Sequence, residues 1–415
     1  MHFALLVGAV VALLLSAFLL FIHTSNFFAI QSKEVLHLVD ETNNILIKNI
    51  DGSQLIFNDT INQQAGKLET KETYSFSGCW IKKRVTTKNK EKQFTHNAYL
   101  GGSHTLKTPN LYLKNSSAPL VVVGNTKIYG NSYLPEEGIK AGNISGNYYQ
   151  NRKLVYGNAF ISKETLPELN KDWLQYIKKL NTNNFLENQN IVELKEVMKN
   201  SFHDPVKIVY SASPITISGH QLKGNIIIKS ASSIRIDASS DVTDVIFIAP
   251  KITISSGVKG TFQAIAKEKI TVGRNCKLKY PSSLVIYTIE KEPGDFDSTA
   301  TENTILINSY SIIQGSVVYF EEKKPITENT FRRGVQTHLK IETNAKVTGE
   351  VYVTGNTELL GTVEGSLYTN QLVANQYGSK YINHIYNGKI LLNNAPNYTG
   401  LFFKDASLAL SKWLY

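Results

Sequence analysis

Four short phrases, ITIS at 215, IRID at 234, ITIS at 252 and ITVG at 270, follow one another at intervals of 19, 18 and 18 residues. A second set of apolar segments, IIIKS, VIFIAP, TFQAIA and LVIYTI, alternates with them. Segments this short and this rich in β-branched residues read as strands. A strand of four or five residues cannot bury an apolar face alone. Repeated at a fixed interval, such strands can stack about 4.8 Å apart, each pairing with its counterpart above and below. The phase therefore predicts a parallel β-helix or related solenoid with inward columns of Ile and Val. No strict six-residue apolar period survives a count, which disfavours the left-handed hexapeptide form. A β-sandwich has no reason to keep an 18-residue phase over four turns.

A third phrase has the form apolar-x-Gly-polar-x-apolar. It occurs as IYGNSY, ISGNYY, VYGNAF, LKGNII, IQGSVV, VTGEVY and VEGSLY, centred on Gly130, Gly146, Gly157, Gly224, Gly315, Gly349 and Gly365. Glycine at a fixed place in a coil marks a corner, where φ is positive or a neighbour leaves no room for a Cβ. All seven are expected to be structural coil corners.

The N-terminal run FALLVGAVVALLLSAFLLFI, residues 3–22, is as constraining. It holds no charged residue, and the first charge is Lys33. About 20 apolar residues in a helix cross a hydrocarbon core. A cleaved signal peptide is the rival, but the run is long for one, no basic residue precedes it and no A-x-A site follows. A single-pass anchor contacting the lipid bilayer through residues 3–22 is the expectation. Beyond it, Val35, Leu38, Val39, Ile45 and Leu46 recur at helical steps. The organisation predicted is an anchor over 1–24, an amphipathic stalk over 25–52 and a β-rich region over 53–118. First solenoid coils over 119–160, a helical insertion over 161–204, the main solenoid over 205–372 and a C-terminal cap over 373–415 follow. Within the insertion, Leu169, Trp173, Ile177 and Leu180 predict one helix with Pro167 in its first turn, and NIVELKEVMKNSF a second. Residues 291–304 and 321–334 read as protruding loops.

The chemistry-bearing residues are sparse. Asp237, Asp241 and Asp244 with Arg235, and Asp295 with Asp297, are the nearest approach to a polysaccharide-cleaving carboxylate cluster. Their setting in turns favours local hydrogen bonding instead. His203, Asp204 and His220 are isolated, and nucleophile-elbow, HExxH and phosphate-loop motifs are missing, so no catalytic, cofactor or metal residue is assigned. Cys79 and Cys276 stand 197 positions apart without ligand spacing. They are either a disulfide closing a long loop or two separate buried thiols. Lys82, Lys83, Arg84, Lys88, Lys90 and Lys92 form a basic loop that would contact acidic headgroups or glycans, or be a solvated hairpin tip. The net charge of +10 is spread too thinly over 415 residues to imply nucleic-acid binding.

The stretch SSAPLVVVGNTKIYGNSYLPEEGIKAGNISGNYYQNRKLVYGNAFISKETLPEL, the repeat region and the closing KWLY resemble membrane-anchored β-solenoid envelope proteins of Bacteroidetes-type bacteria. VTGEVYV and VEGSLYT resemble the coils of bactofilins, which are polymer-forming β-solenoids. The anchor followed by a stalk is similar in layout to pilin-like proteins, without their basic leader or their Glu in the apolar segment. These resemblances imply an inner-membrane, single-pass protein with an extracytoplasmic solenoid. It would be a non-enzymatic scaffold with envelope protein partners, in a pilus-like, secretion or surface-assembly system. The alternative is a β-helix that binds or cleaves polysaccharide, with an acidic glycan as ligand.

Overall fold

The structure is a computed structural model. It describes residues 2–52, 55, 57, 59–66, 68–90, 92–104, 108–186, 191–289, 304–323, 335–393 and 398–415. The protein is mainly β, with one long apolar helix at its N-terminus. That helix, α1, runs unbroken over His2–Ile47. It is long and apolar enough to span a membrane, with a mean hydropathy of 3.0 over its most apolar window and none of that window buried. Its last three turns behave differently. Leu38, Thr42 and Leu46, four residues apart, are buried against a β-sheet, while Val35 stays exposed. The segment expected as a free stalk is therefore docked from Leu38 onward.

The sheet that receives α1 is antiparallel. Its strand order is Ile50–Asp51, Ser407–Leu414, Lys92–Ser103, Trp80–Asn89, Leu68–Ser77 and Thr60–Ala65, with Thr399–Gly400 also paired to Lys92–Ser103. The expected loop KKRVTTKNKEK is mostly strand. Lys83, Val85 and Thr87 alternate inward along Trp80–Asn89, and the β-branched residues favour the pleat. Only the turn at Lys90 (φ 50°) breaks it.

Most of the remaining strands form a closed sheet whose ladders are parallel, save the antiparallel pair Thr362–Gln376 and Ser379–Ile382; Leu120–Val123, Ile139–Ala141 and His384–Tyr386 make a separate small parallel sheet. Gln221–Ser230, Asp241–Ile254, Lys259–Val272, Lys277–Ile289, Ile312–Glu322, Lys346–Leu359 and Thr362–Gln376 follow one another through it. Pairing in register builds columns of like residues. Ile215, Ile234, Ile252, Ile270, Ile305, Leu339, Thr357 and Leu372 pair in sequence. All eight are buried. A second column runs Leu222, Val242, Gly260, Leu278, Ile313, Val347, Val363, Ile390 and Ile128. Each apolar side chain so buried contributes roughly 1.5–3 kcal/mol against its exposed state, so the columns dominate stability.

Spatial order departs from chain order. The strands Leu111–Leu113 and Lys127–Ile128 stack on Thr362–Gln376 and Lys389–Leu391, and Ser132–Leu134 and Ala159–Ile161 stack beyond them. The coils expected to come first are thus last, at the far end from Val197–Asn200. Residues 162–186 return along the side of the stack. They contain a second helix, α2 (Lys171–Leu180), which buries Trp173, Ile177 and Leu180. It begins at Lys171, after Pro167, because the Asn170 side chain caps it by accepting the Trp173 N–H at 3.0 Å.

Three further expectations need correction. NIVELKEVMKNSF forms no helix: Val197–Asn200 is a strand paired with Gln221–Gly224, and Val192, Leu194 and Met198 turn towards the core at period two. ISGNYY is no coil corner: Asn143–Ile144 and Asn147–Tyr148 make an antiparallel hairpin. The tail expected to cover an end instead joins the side sheet, while Lys389–Leu391 lies in the stack. The expected loops 291–304 and 321–334 lie almost wholly outside the described residues.

Gly315, Gly349 and Gly365 stack on one another in register, each with φ near 140°. A Cβ at Gly365 would overlap the Gly349 carbonyl oxygen, whereas one at Gly146 (φ 84°) would meet nothing. Gly365→Ala should therefore cost about 3 kcal/mol of unfolding free energy, and Gly146→Ala about 1 kcal/mol. Denaturant titration of both variants of the full chain in detergent measures the difference, and equal losses would contradict the stacked-corner geometry.

Candidate interaction surfaces

The antiparallel sheet docks on the outside of the stack along one column of side chains: Ile208, Ile227, Ile246, Gln263, Ser283, Ser316, Glu350 and Ser366. It begins apolar and turns polar where the side sheet supplies hydrogen bonds. Gln263 Oε1 accepts the Cys79 N–H at 2.6 Å, and its Nε2 donates to the Ser77 carbonyl at 3.0 Å. Trp80 Nε1 donates to the Pro281 carbonyl, and Trp173 Nε1 to that of Gly78. Buried polar groups of this kind stabilise only when paired, and here the pairing joins the two sheets.

Charged groups tie the C-terminal segment to the same seam. Lys412 Nζ reaches both Asp244 carboxylate oxygens, at 2.5 and 2.7 Å. The Asp244 side chain is 1% exposed and its backbone takes φ 63°. Glu350, equally buried, accepts the Leu401 N–H and stands 2.6 Å from His104 Nε2. Tyr280 meets Thr399 and Ser411 through its hydroxyl.

The basic run divides. Lys83 is 1% exposed, lies 3.1 Å from Glu72 and donates to the Ile45 carbonyl at 2.6 Å, in the last turn of α1. Burial holds its ammonium below the usual lysine range, opposed by the Glu72 charge. It fixes α1 and cannot reach an external anion. Burial also lowers Lys82, with the Arg84 charge adding to it. Arg84 donates to the His203 carbonyl at 3.3 Å. Lys88 and Lys90 are exposed, and Lys92 lies beside Gln31 and Glu34 of α1. Sequence reasoning missed Glu72, Glu350 and Lys412, because their partners are distant in the chain.

The acidic candidates do not converge. Asp237 accepts from Ser255 Oγ at 2.6 Å and Arg235 Nε at 2.9 Å, which hold its carboxyl below the usual range. Asp241 is exposed, and Asp244 is taken by Lys412. Asp295 and Asp297 lie outside the described residues. His220 hydrogen-bonds within its own turn at Ser218. Among the described residues there is no group of three His, Cys, Asp or Glu that could hold a metal. Cys79 and Cys276 are both free and buried, which removes the disulfide alternative. Cys276 belongs to the stack core and Cys79 to the seam, where burial pushes its thiol up to about 12. Of the corner glycines, Gly130 and Gly224 also take positive φ, and Gly157 is pressed against the Gly130 carbonyl.

Two surfaces remain open. At one end an aromatic ladder runs Tyr352, Tyr368, Tyr112, Tyr133 and Phe160, with centroid spacings of 6.0, 6.2, 5.4 and 5.0 Å. Its last rung stands on the exposed strand Ala159–Ile161, beside the stacked pair Tyr129 and Tyr156 at 4.8 Å. At the opposite end an open cleft of about 500 Å³ is lined by Val192, Leu194, Val209, Tyr210, Ile215 and their neighbours. No family model, no curated protein and no solved structure matches the chain.

Two outcomes test the buried polar contacts, one in the seam and one within the stack. Lys412→Met leaves the Asp244 carboxylate buried and unpaired, so it should cost about 3 kcal/mol. Adding Asp244→Asn should restore most of that loss, and a double-mutant cycle in urea measures the coupling. His338 is the second. Burial lowers its ring to about 4, and its Nδ1 accepts the Asn356 N–H at 2.9 Å, which requires the neutral form. Below the unfolded value near 6.5 the unfolded chain binds the extra proton. The contribution is complete above about pH 6.5 and is lost as pH falls towards 4, on the order of 2 kcal/mol. His338→Asn should flatten that acid limb in stability measured against pH.

Proposed function

We propose that this chain is a membrane-anchored parallel β-solenoid serving the bacterial cell envelope as a non-enzymatic scaffold. The observation that carries the reading is the column from Ile215 to Leu372. Unbroken burial of one side-chain position through successive turns makes a stiff body whose interior is filled by its own residues. What it can offer to other molecules lies on its faces and ends. The apolar α1 supports a single pass through a membrane, which the reading places at the inner membrane with the β portion extracytoplasmic. The resemblances to bactofilin-like coils and to a pilin-like anchor favour a place in a pilus-like, secretion or surface-assembly system with envelope protein partners.

One observation favours a second reading. The half-buried stacked pair Tyr129 and Tyr156 and the exposed Phe160, beside Asn131 and Asn158, suit the faces and hydroxyls of sugar rings. An acidic-glycan ligand would use that end of the stack.

Alkaline carbonate should leave the chain in the membrane fraction, and crosslinking in cells followed by detergent pulldown should return envelope proteins. Release of the chain by carbonate would remove the anchor. A pulldown without envelope proteins, joined to degradation of an acidic glycan by the purified chain, would overturn the scaffold in favour of the second reading.

A further inference from the structure

The hairpin Trp80–Asn89/Lys92–Ser103 lies along the outer part of α1 with its turn pointing towards the apolar end of that helix. Three contacts fix the alignment. Lys83 donates to Ile45, Thr42 Oγ1 donates to Thr87 Oγ1 at 2.8 Å, and Lys92 donates to the Gln31 carbonyl at 3.2 Å. Movement outward along the hairpin is therefore movement towards Ile22, the end of the uncharged run.

Distances follow from the helix. Gln31 is nine residues past Ile22, about 14 Å along the axis at 1.5 Å per residue. Headgroups add about 6 Å to each side of a hydrocarbon core about 30 Å thick. Lys92 then stands roughly a Debye length, about 8 Å, from the headgroup layer. Lys90, in the turn one residue beyond the Asn89–Lys92 pair, is about 3 Å closer at the rise of a strand. Phe27 and Phe28, 53% and 63% exposed, lie about 8 and 9 Å past Ile22 on the same helix, at the outer edge of the headgroup layer. Large apolar side chains left uncovered at that level are satisfied by a lipid interface. By sequence the charge at this end is positive: Lys33, Lys88, Lys90 and Lys92 outnumber Glu34, Glu91 and Glu69, which lies opposite Lys88 in the sheet.

Resting on the membrane-anchor reading, we propose that Lys88, Lys90 and Lys92 form a docking surface for anionic phospholipid headgroups, with Phe27 and Phe28 in the same interface. Each lysine near an anionic surface favours the docked state about five-fold. Docking holds the hairpin against the membrane. Because the hairpin is welded to α1 and to the stack through Lys83, Trp80 and Gln263, it also fixes the tilt of the whole β portion.

The test uses the full chain with Lys90→Cys carrying a fluorophore, and Asp405→Cys, at the opposite end of the same sheet, as reference. The two native thiols are buried, so labelling is specific. Both variants are reconstituted into vesicles of phosphatidylcholine alone or mixed with phosphatidylglycerol, with a nitroxide on the headgroups. Quenching at position 90 should exceed that at 405 several-fold in the mixed vesicles, and should fall in phosphatidylcholine alone or at high salt. Adding Lys88→Gln and Lys92→Gln should lower it about five-fold per charge in docked-to-free ratio. Equal quenching at 90 and 405, or equal quenching of position 90 in both lipid mixtures, would overturn the proposal while the chain stays carbonate-resistant. Stripping by carbonate would instead sink the anchor reading on which it rests.

Discussion

The parallel ladder is the constraint on which everything else depends. A parallel strand with one paired edge leaves a row of N–H and C=O groups open on the other, and each must be met by another strand or by water. Stacking meets them in the interior, and it dictates that position x of one turn lies over position x of the next. Only then do Ile215, Ile234, Ile252 and Ile270 share one column. Corner glycines follow from the same rule, because Gly315, Gly349 and Gly365 bring successive backbones too close for a side chain. Thr357, the one polar member of the Ile215 column, keeps its place because its hydroxyl meets Thr369 at 2.9 Å.

The side sheet answers a different need. The closed parallel sheet has an outer face as well as an inner one, and here part of the outer face is apolar: Ile227, Ile246, Ile265, Val285, Val318, Tyr352 and Tyr368 are buried beneath the antiparallel sheet, α2 and the C-terminal segment. Lys229 shows how the cover is held. Buried and with no carboxylate partner among the described residues, it donates to the Leu180 and Thr182 carbonyls at the end of α2. Burial lowers it to about 8. The ammonium takes the place that water would hold at a helix C-terminus. A single side chain thereby couples the returning segment to the stack.

How much of this was readable in the sequence depended on the range of each interaction. The 18-residue phase was readable, because it is imposed by contacts between adjacent turns. Trp173, Ile177 and Leu180 were readable for the same reason, since a helix writes its period locally. NIVELKEVMKNSF was misread because its apolar residues fit steps of both two and three to four, and the choice falls to Gln221–Gly224, which offers a paired edge. ISGNYY carries the coil phrase in full, yet its Gly146 serves a hairpin. The basic run was read as one surface, although Lys83 belongs to Glu72 and Ile45. Asp244 looked like a turn former with no sign of Lys412, 168 positions away.

The permuted order of the stack bears on how the chain reaches this structure. Turns between 197 and 376 pair mostly with neighbours 16 to 38 residues away, so loop closure costs little and they can assemble from any starting turn. The strand Leu111–Leu113 pairs with Ser132–Leu134 nearby but reaches the main stack through Thr362–Gln376, and Asn110 bonds Gly365 across 255 residues. The side sheet needs Ser407–Leu414 to lie between Ile50–Asp51 and Lys92–Ser103. These long-range closures are the slow steps by contact order. Until they form, the edge of Thr362–Gln376 is open and apolar, a template for another chain. In the finished protein the terminal stack is closed by residues synthesised before the main stack exists. The N-terminal strands must therefore wait for the last turn to arrive. They belong to the same chain as that turn, so intramolecular closure outpaces pairing with a neighbour.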